Sequence, residues 1–172
     1  MSENALLQQV ADRQAITDLI YRYCRSMDRI DAELGYSVWH EDGIADYGEG
    51  IYQGSGRGFI DWVCDSHRRM LVHTHQLANI VIDLDGDRAG SESYVTATLR
   101  LEVEGQLKQI TTWCRYVDRW SRRDGRWGID KRVTIIDMDE IRDITPMTPG
   151  MLGARDRGDP SYAALATYAA SR

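Results

Sequence analysis

Three turn signals, Asp85-Gly86, Glu104-Gly105 and Asp124-Gly125, divide the second half of this chain into four extended runs. The runs are Val72–Leu84, Ala89–Val103, Lys108–Ser121 and Trp127–Met138. Short Asp-Gly or Glu-Gly links between alternating segments are hairpin signals, because glycine supplies the positive φ that such turns need. The expected product is a four-stranded antiparallel meander of long strands. Strands of this length twist and curl, and a curled sheet buries its concave face only if something covers it.

The cover lies upstream. From Asp12 to about Asp28, Ile16, Leu19, Ile20, Tyr23, Cys24 and Met27 recur at helical spacing and form one buried stripe. Asp12, Arg13, Gln14, Asp18, Arg22 and Arg25 fall largely off that stripe, and Asn4–Val10 reads as a looser lead-in turn or as a continuation of the helix. A second short helix is expected over Glu33–His40, burying Leu34, Val38 and Trp39, with Glu41-Asp42-Gly43 ending it. Tyr47, Ile51 and Tyr52 around Gly48 and Gly50 suggest a short hairpin. Gly54-Ser-Gly-Arg-Gly58 lacks the Lys-Ser/Thr ending of a phosphate loop and reads as a turn into a helix over Phe59–Met70. The architecture is therefore α+β: a cone-shaped domain over residues 1–143, helices first and sheet second. The tail, residues 144–172, holds all three prolines (Pro146, Pro149, Pro160) together with Met147, Met151 and Leu152. It folds back as a lid, docks on a neighbouring subunit, or stays partly unordered as chain termini commonly do.

Composition narrows the partners. At 172 residues with 42 % hydrophobic content the chain can bury one real core. A net charge of −6 with interspersed basic residues argues against nucleic acid or an anionic membrane as partner. No apolar run approaches membrane-spanning length and no signal peptide is visible. Cys24, Cys64 and Cys114 are odd in number and unpaired in spacing, which fits reduced thiols in a cytoplasmic protein. Long sheets with polar outer faces often pair with a second copy, so a homodimer or homotrimer is expected.

The chemistry concentrates on the first run. Strand alternation puts His73, His75, Leu77, Asn79 and Val81 on one face, and Val72, Thr74, Gln76, Ala78, Ile80 and Ile82 on the other. Two histidines and an asparagine among apolar residues suggest the wall of a pocket. If the first helix crosses the concave sheet, Asp28 at its end meets His75 inside the cone. An aspartate bonded to one ring nitrogen fixes the tautomer and leaves the other nitrogen free as a general base. Tyr23, Tyr47, Tyr52 and Tyr94 could donate hydroxyls to a carbonyl oxygen or its enolate. Trp39 and Trp113 would wall a site for a hydrophobic small molecule. Two other readings of His75 stand beside this one: a buried histidine satisfied by a main-chain carbonyl, and a His73/His75 metal site for which no further histidine is placed to complete a triad.

Ala15 to Asp28, then Trp39-His-Glu-Asp-Gly43 and Tyr47-Gly48, resemble the opening of the SnoaL-like polyketide cyclases. His75-Gln-Leu-Ala-Asn79 with Asp85-Gly-Asp-Arg-Ala89 resembles that family's central strand and hairpin, and Asp124-Gly-Arg-Trp-Gly-Ile129 with Arg132 its final hairpin. The family belongs to the NTF2-like superfamily, with scytalone dehydratase, hexachlorocyclohexane dehydrochlorinase and ketosteroid isomerase as relatives. The resemblance implies a cone of helices on a curved sheet and a cofactor-independent lyase or cyclase without a metal. It implies Asp28 and His75 as the dyad for β-elimination and gives Arg132 a part in binding the leaving group. It gives His73 no defined role. Isomerisation of the ketosteroid-isomerase kind, and a non-catalytic role as the small subunit of a ring-hydroxylating dioxygenase, are the alternatives.

Overall fold

The computed structural model describes residues 2–147 and 153–165. The expected readings for Pro149, Met151 and Leu152 fall outside the described residues. The chain runs α1 (Glu3–Arg29), α2 (Ala32–Tyr36), β1 (Trp39–Asp46), β2 (Gln53–Ser55) and α3 (Gly56–Arg68). Then come β3 (Val72–Asp85), β4 (Arg88–Val103), β5 (Gln106–Arg123), β6 (Arg126–Asp143) and a short α4 (Pro160–Ala164).

The four expected strands form with the three expected turns between them. Gly86, Gly105 and Gly125 all adopt positive φ, the conformation that glycine reaches without steric cost. The sheet itself is larger than the meander. Its order is β2-β1-β6-β5-β4-β3, and β1 pairs parallel to β6. The sheet is therefore mixed, six-stranded and curved around the helices, and β3 is an edge strand.

Two further features are local. The lead-in is continuous with the helix: α1 is one helix from Glu3, capped by the Ser2 side chain on the Ala5 amide. Conversely the second helix stops at Tyr36, and Trp39 and His40, expected on it, begin β1. Pairing to the last strand wins over helical periodicity there, since Ile129 N–H bonds Val38 O and Trp39 pairs with Ile129.

Helix α1 lies across the concave face and buries Ile16, Leu19, Ile20, Tyr23, Cys24 and Met27. These meet Val95, Cys114, Tyr116, Trp120 and Ile129 of the sheet and Phe59, Ile60, Val63 and Cys64 of α3. Asp12 belongs to the stripe as well. Its carboxylate accepts from the buried Trp127 indole at 2.9 Å and from Arg122 at 2.7 Å, which ties the helix to the β5–β6 hairpin. Gly56 starts α3 hard against the Trp39 ring: a Cβ there would stand 2.2 Å from Cε3. All three cysteines are free and buried, and burial pushes each thiol above its usual range.

Candidate active site

Two features end α1 where Asp28 can work. Ile30 takes a left-handed conformation with φ 51°, unfavourable for a β-branched side chain, and its amide closes back on Met27 O. His73 Nε2 donates to the same carbonyl at 2.7 Å, pinning strand β3 to the last turn of the helix. Two residues along β3, His75 meets Asp28 twice. Its Nδ1 lies 2.7 Å from Asp28 Oδ1, and its backbone N–H donates to Oδ2 at 3.2 Å. With Nδ1–H given to the carboxylate, Nε2 keeps its lone pair. The His75 side chain is 7 % exposed and the Asp28 side chain 16 %. Both border a cavity of about 370 Å³ that Tyr21, Cys24, Arg25, Arg29 and Leu77 also line.

A third histidine joins the group. His67, on α3, packs against His73 with tilted rings whose centroids are 4.1 Å apart, and stands 5.8 Å from the His75 ring. Burial drives the His67 imidazole down to about 3 and lowers His73 as well, so both are neutral at physiological pH. His67 sits at the helical spacing of Ile60, Val63 and Cys64, so its place in the buried stripe was readable; Met70, expected there, is only half-buried. Despite this proximity, no group of three or more His, Cys, Asp or Glu among the described residues is arranged to hold a metal ion.

The second constellation lies deeper. The Tyr23 and Tyr47 hydroxyls hydrogen-bond each other, and burial pushes both phenols above their usual range, so they remain donors. Arg132 lies over the Tyr23 ring at 4.1 Å and over the Tyr116 ring at 3.9 Å, with Trp39 at 5.9 Å. Its guanidinium grips Asp118 with two bonds of 2.7 Å, and both side chains are fully buried. Arg132, for which the resemblance implies a part in binding the leaving group, is thus fully buried and ion-paired to Asp118. Asp118 alternates with Cys114 and Tyr116 on β5, a pattern that could have revealed it.

Four expected site residues lie elsewhere. Asn79 sits on a β-bulge with φ 48°, where the β3–β4 register shifts between Ala78 and Val81. The bulge reverses the alternation, so Asn79 and Val81 face solvent and Ile80, Ile82 and Leu84 turn inward. Tyr94 is 43 % exposed on the outer face of the sheet. Trp113 shares that face, two residues along β5 from Arg115, which pairs with Glu92 and Asp137. Tyr52 donates its hydroxyl to Ser55 O and packs edge-on to Phe59; its backbone carbonyl accepts from Tyr47 N–H at 2.8 Å, but its hydroxyl is spent away from the dyad.

The tail folds back onto the helices at this end of the cone. Arg155 donates to His67 O, Asp159 pairs with Arg29 at 3.4 Å, and Tyr162 donates to Asp31 at 2.9 Å. Met147, before the undescribed stretch, is fully exposed.

A family model described as a SnoaL-like domain matches residues 8–133. Among curated proteins no sequence relative is found. Solved structures with the same fold include the hexachlorocyclohexane dehydrochlorinase LinA-type3 from Novosphingobium barchaimii, at TM-score 0.73 and 22 % identity over 84 % of this chain and 99 % of that one. A candidate scytalone dehydratase from Novosphingobium aromaticivorans matches at TM-score 0.68 and 20 % identity, over 83 % and 97 % of the two chains. Rv3472 of Mycobacterium tuberculosis, of unknown function, matches at TM-score 0.63 and 22 % identity over 96 % of this chain and 90 % of that one.

Proposed function

Because this chain belongs to the SnoaL-like domain family, we propose that it is a cofactor-independent lyase of the dehydratase type, acting on a cyclic, oxygenated, largely hydrophobic small molecule. One observation carries the reading. Asp28 holds His75 through Nδ1 and through the backbone amide at once, which fixes ring, tautomer and strand together beside an open cavity. A histidine kept only for packing has no need of a carboxylate reached from another element. The family and its dehydratase and dehydrochlorinase neighbours support a small-molecule lyase or cyclase.

In the step proposed, His75 Nε2 takes the proton α to a carbonyl. The C–H pair becomes the new C=C bond as the β-substituent leaves with its bonding pair; if that group is hydroxide, the proton carried on Nε2 returns to it as water. Asp28 faces the imidazolium that forms and orients it through Nδ1. The Tyr23 and Tyr47 hydroxyls, expected as donors to the enolate oxygen, bond each other away from the residues that line this cavity and are given no part in the step. A cyclase uses the same base to form a carbanion that closes a ring.

The test is a panel of cyclic β-hydroxy and β-halo ketones, followed by the ultraviolet absorbance of the conjugated product and by deuterium uptake at the α carbon from heavy water. Wild type is expected to convert at least one member, with His75→Gln and Asp28→Asn slower by about 10²–10⁴-fold in kcat, the usual contribution of a positioned general base. Conversion that survives unchanged in His75→Gln sinks the proposal.

A further inference from the structure

The cavity that holds the dyad also holds an arginine with no carboxylate of its own. Arg25 lies one helical turn before Asp28 and lines the same cavity. Its neighbour there, Arg29, pairs with Asp159, and Asp28 is committed to His75. Arg25 pairs with no carboxylate among the described residues. It is nevertheless held in place: Nη1 donates to Ser161 Oγ at 3.1 Å, and the guanidinium lies over the Tyr162 ring at 4.8 Å. Asp31 fixes that ring in turn through the Tyr162 hydroxyl. A half-buried guanidinium is thus oriented by Ser161, Tyr162 and, through the tyrosine, Asp31, with most of its five donors unspent, on the wall of the cavity that borders the dyad.

We propose that Arg25 selects the substrate, and that the molecule presented to His75 carries a carboxylate. This rests on the cavity being the site of the reaction described above. The planar fork of one arginine matches a carboxylate with two parallel hydrogen bonds. A phosphate dianion would call for a second free cation, and Arg29, the other cation lining this cavity, is already neutralised by Asp159. Leu77, Tyr21 and Cys24 leave the remaining wall apolar enough for the ring system. The tail is then part of the recognition machinery, because Ser161 and Tyr162 set the direction of the fork. Tyr162 is a positioning residue.

Binding tests this separately from turnover. Titration calorimetry of the full chain with 2-naphthoate and with its neutral counterpart 2-naphthamide measures the preference for the charge. Wild type is expected to bind the acid about tenfold or more tightly than the amide, the usual worth of a charge-assisted hydrogen bond. Arg25→Gln is expected to bring the two ligands within about twofold, and Arg25→Lys to restore part of the gap. Equal binding of acid and amide by wild type overturns the inference, as does failure of both to bind, or a preference that persists in Arg25→Gln. A loss of preference in Arg25→Gln that Arg25→Lys does not relieve at all, with a lowered melting temperature, assigns Arg25 to holding the tail and overturns it too. A carboxylate preference without any His75-dependent conversion keeps this inference and sinks the lyase; the converse keeps the lyase and sinks this.

Discussion

Replacing Asp118 by Asn tests whether the deep end of the cone is structural. The pair it breaks is dry on both sides, with two bonds of 2.7 Å and no exposed side-chain surface. Removing one partner of such a pair costs about 3–5 kcal/mol, because the other charge is left buried without compensation. In Asp118→Asn the stranded charge is Arg132, which still lies against the faces of Tyr116 and Tyr23 at 3.9 and 4.1 Å. Each desolvated cation–π contact is worth up to about 2 kcal/mol, so the loss belongs near the lower limit, about 3 kcal/mol. Arg132→Met strands the carboxylate instead, without the cation–π contacts that cushion a stranded guanidinium, and belongs near about 5 kcal/mol. The double variant removes both charges and is expected to cost less than either single change. Urea unfolding followed by tryptophan fluorescence at fixed protein concentration reads all three. With a slope of about 2 kcal/mol per molar, Asp118→Asn moves the midpoint down by about 1.5 M. Single losses below about 1 kcal/mol, or a double loss equal to the sum, would refute the argument and return Arg132 to the pool of ligand-binding cations.

Two more perturbations test the shape of the site. Burial holds His67 at about 3 in the folded chain, against roughly 6.5 when unfolded. Between those values the unfolded chain binds the extra proton, so stability falls as pH drops through that window and levels off below about 3. From pH 7 to pH 5 the loss is about 2 kcal/mol, with His73 shifted in the same direction, and urea midpoints of His67→Gln should show a visibly smaller drop; equal drops would contradict the burial of that ring. At the β3 bulge, where φ is 48°, Asn79→Gly should unfold within about 0.5 kcal/mol of wild type while Asn79→Val loses more than about 1 kcal/mol, and a valine tolerated as well as glycine would mean the bulge is absent in solution.

The dyad was legible because two local rules meet on it. Helical spacing carries α1 to Asp28, and alternation turns His75 inward, so sequence alone brings the pair within reach. The same alternation misplaced Asn79 and Val81, since counting by twos assumes an unbroken pleat and only the αL-tolerant asparagine hints at the break. Tyr94 and Trp113 were misread for a related reason. Aromatic residues fit either face of a sheet, and which face is concave depends on where α1 packs. The parallel pairing of β1 with β6 was hidden by distance: Trp39 and Ile129 are 90 positions apart, and a short Leu-Gly-Tyr-Ser-Val segment reads as helix until a strand claims its end. Ser161 and Tyr162 close a segment, Arg155 to Tyr162, that resembles the end of some family members, but nothing in a proline-bearing tail says which arginine it will hold.

The two polar constellations divide the labour of α1 by geometry. Tyr23 and Asp28 are five residues apart, about 140° around the helix and about 7.5 Å along it. One face therefore closes over Arg132 and Asp118 in the middle of the sheet, where water is excluded and a charge pair can hold the curvature rigid. The other reaches β3, whose outer edge has no strand beyond it among the described residues. A base placed at that edge meets its ligand without opening the core. It also means that stability and turnover should separate: changes in the cage move the unfolding midpoint, while changes at Asp28, His75 or Arg25 move binding and rate. The tail joins the second group, since it touches Arg25, Arg29 and His67 of the rim and is not linked by hydrogen bond or ion pair to Arg132, Asp118, Tyr23 or Tyr47 among the described residues.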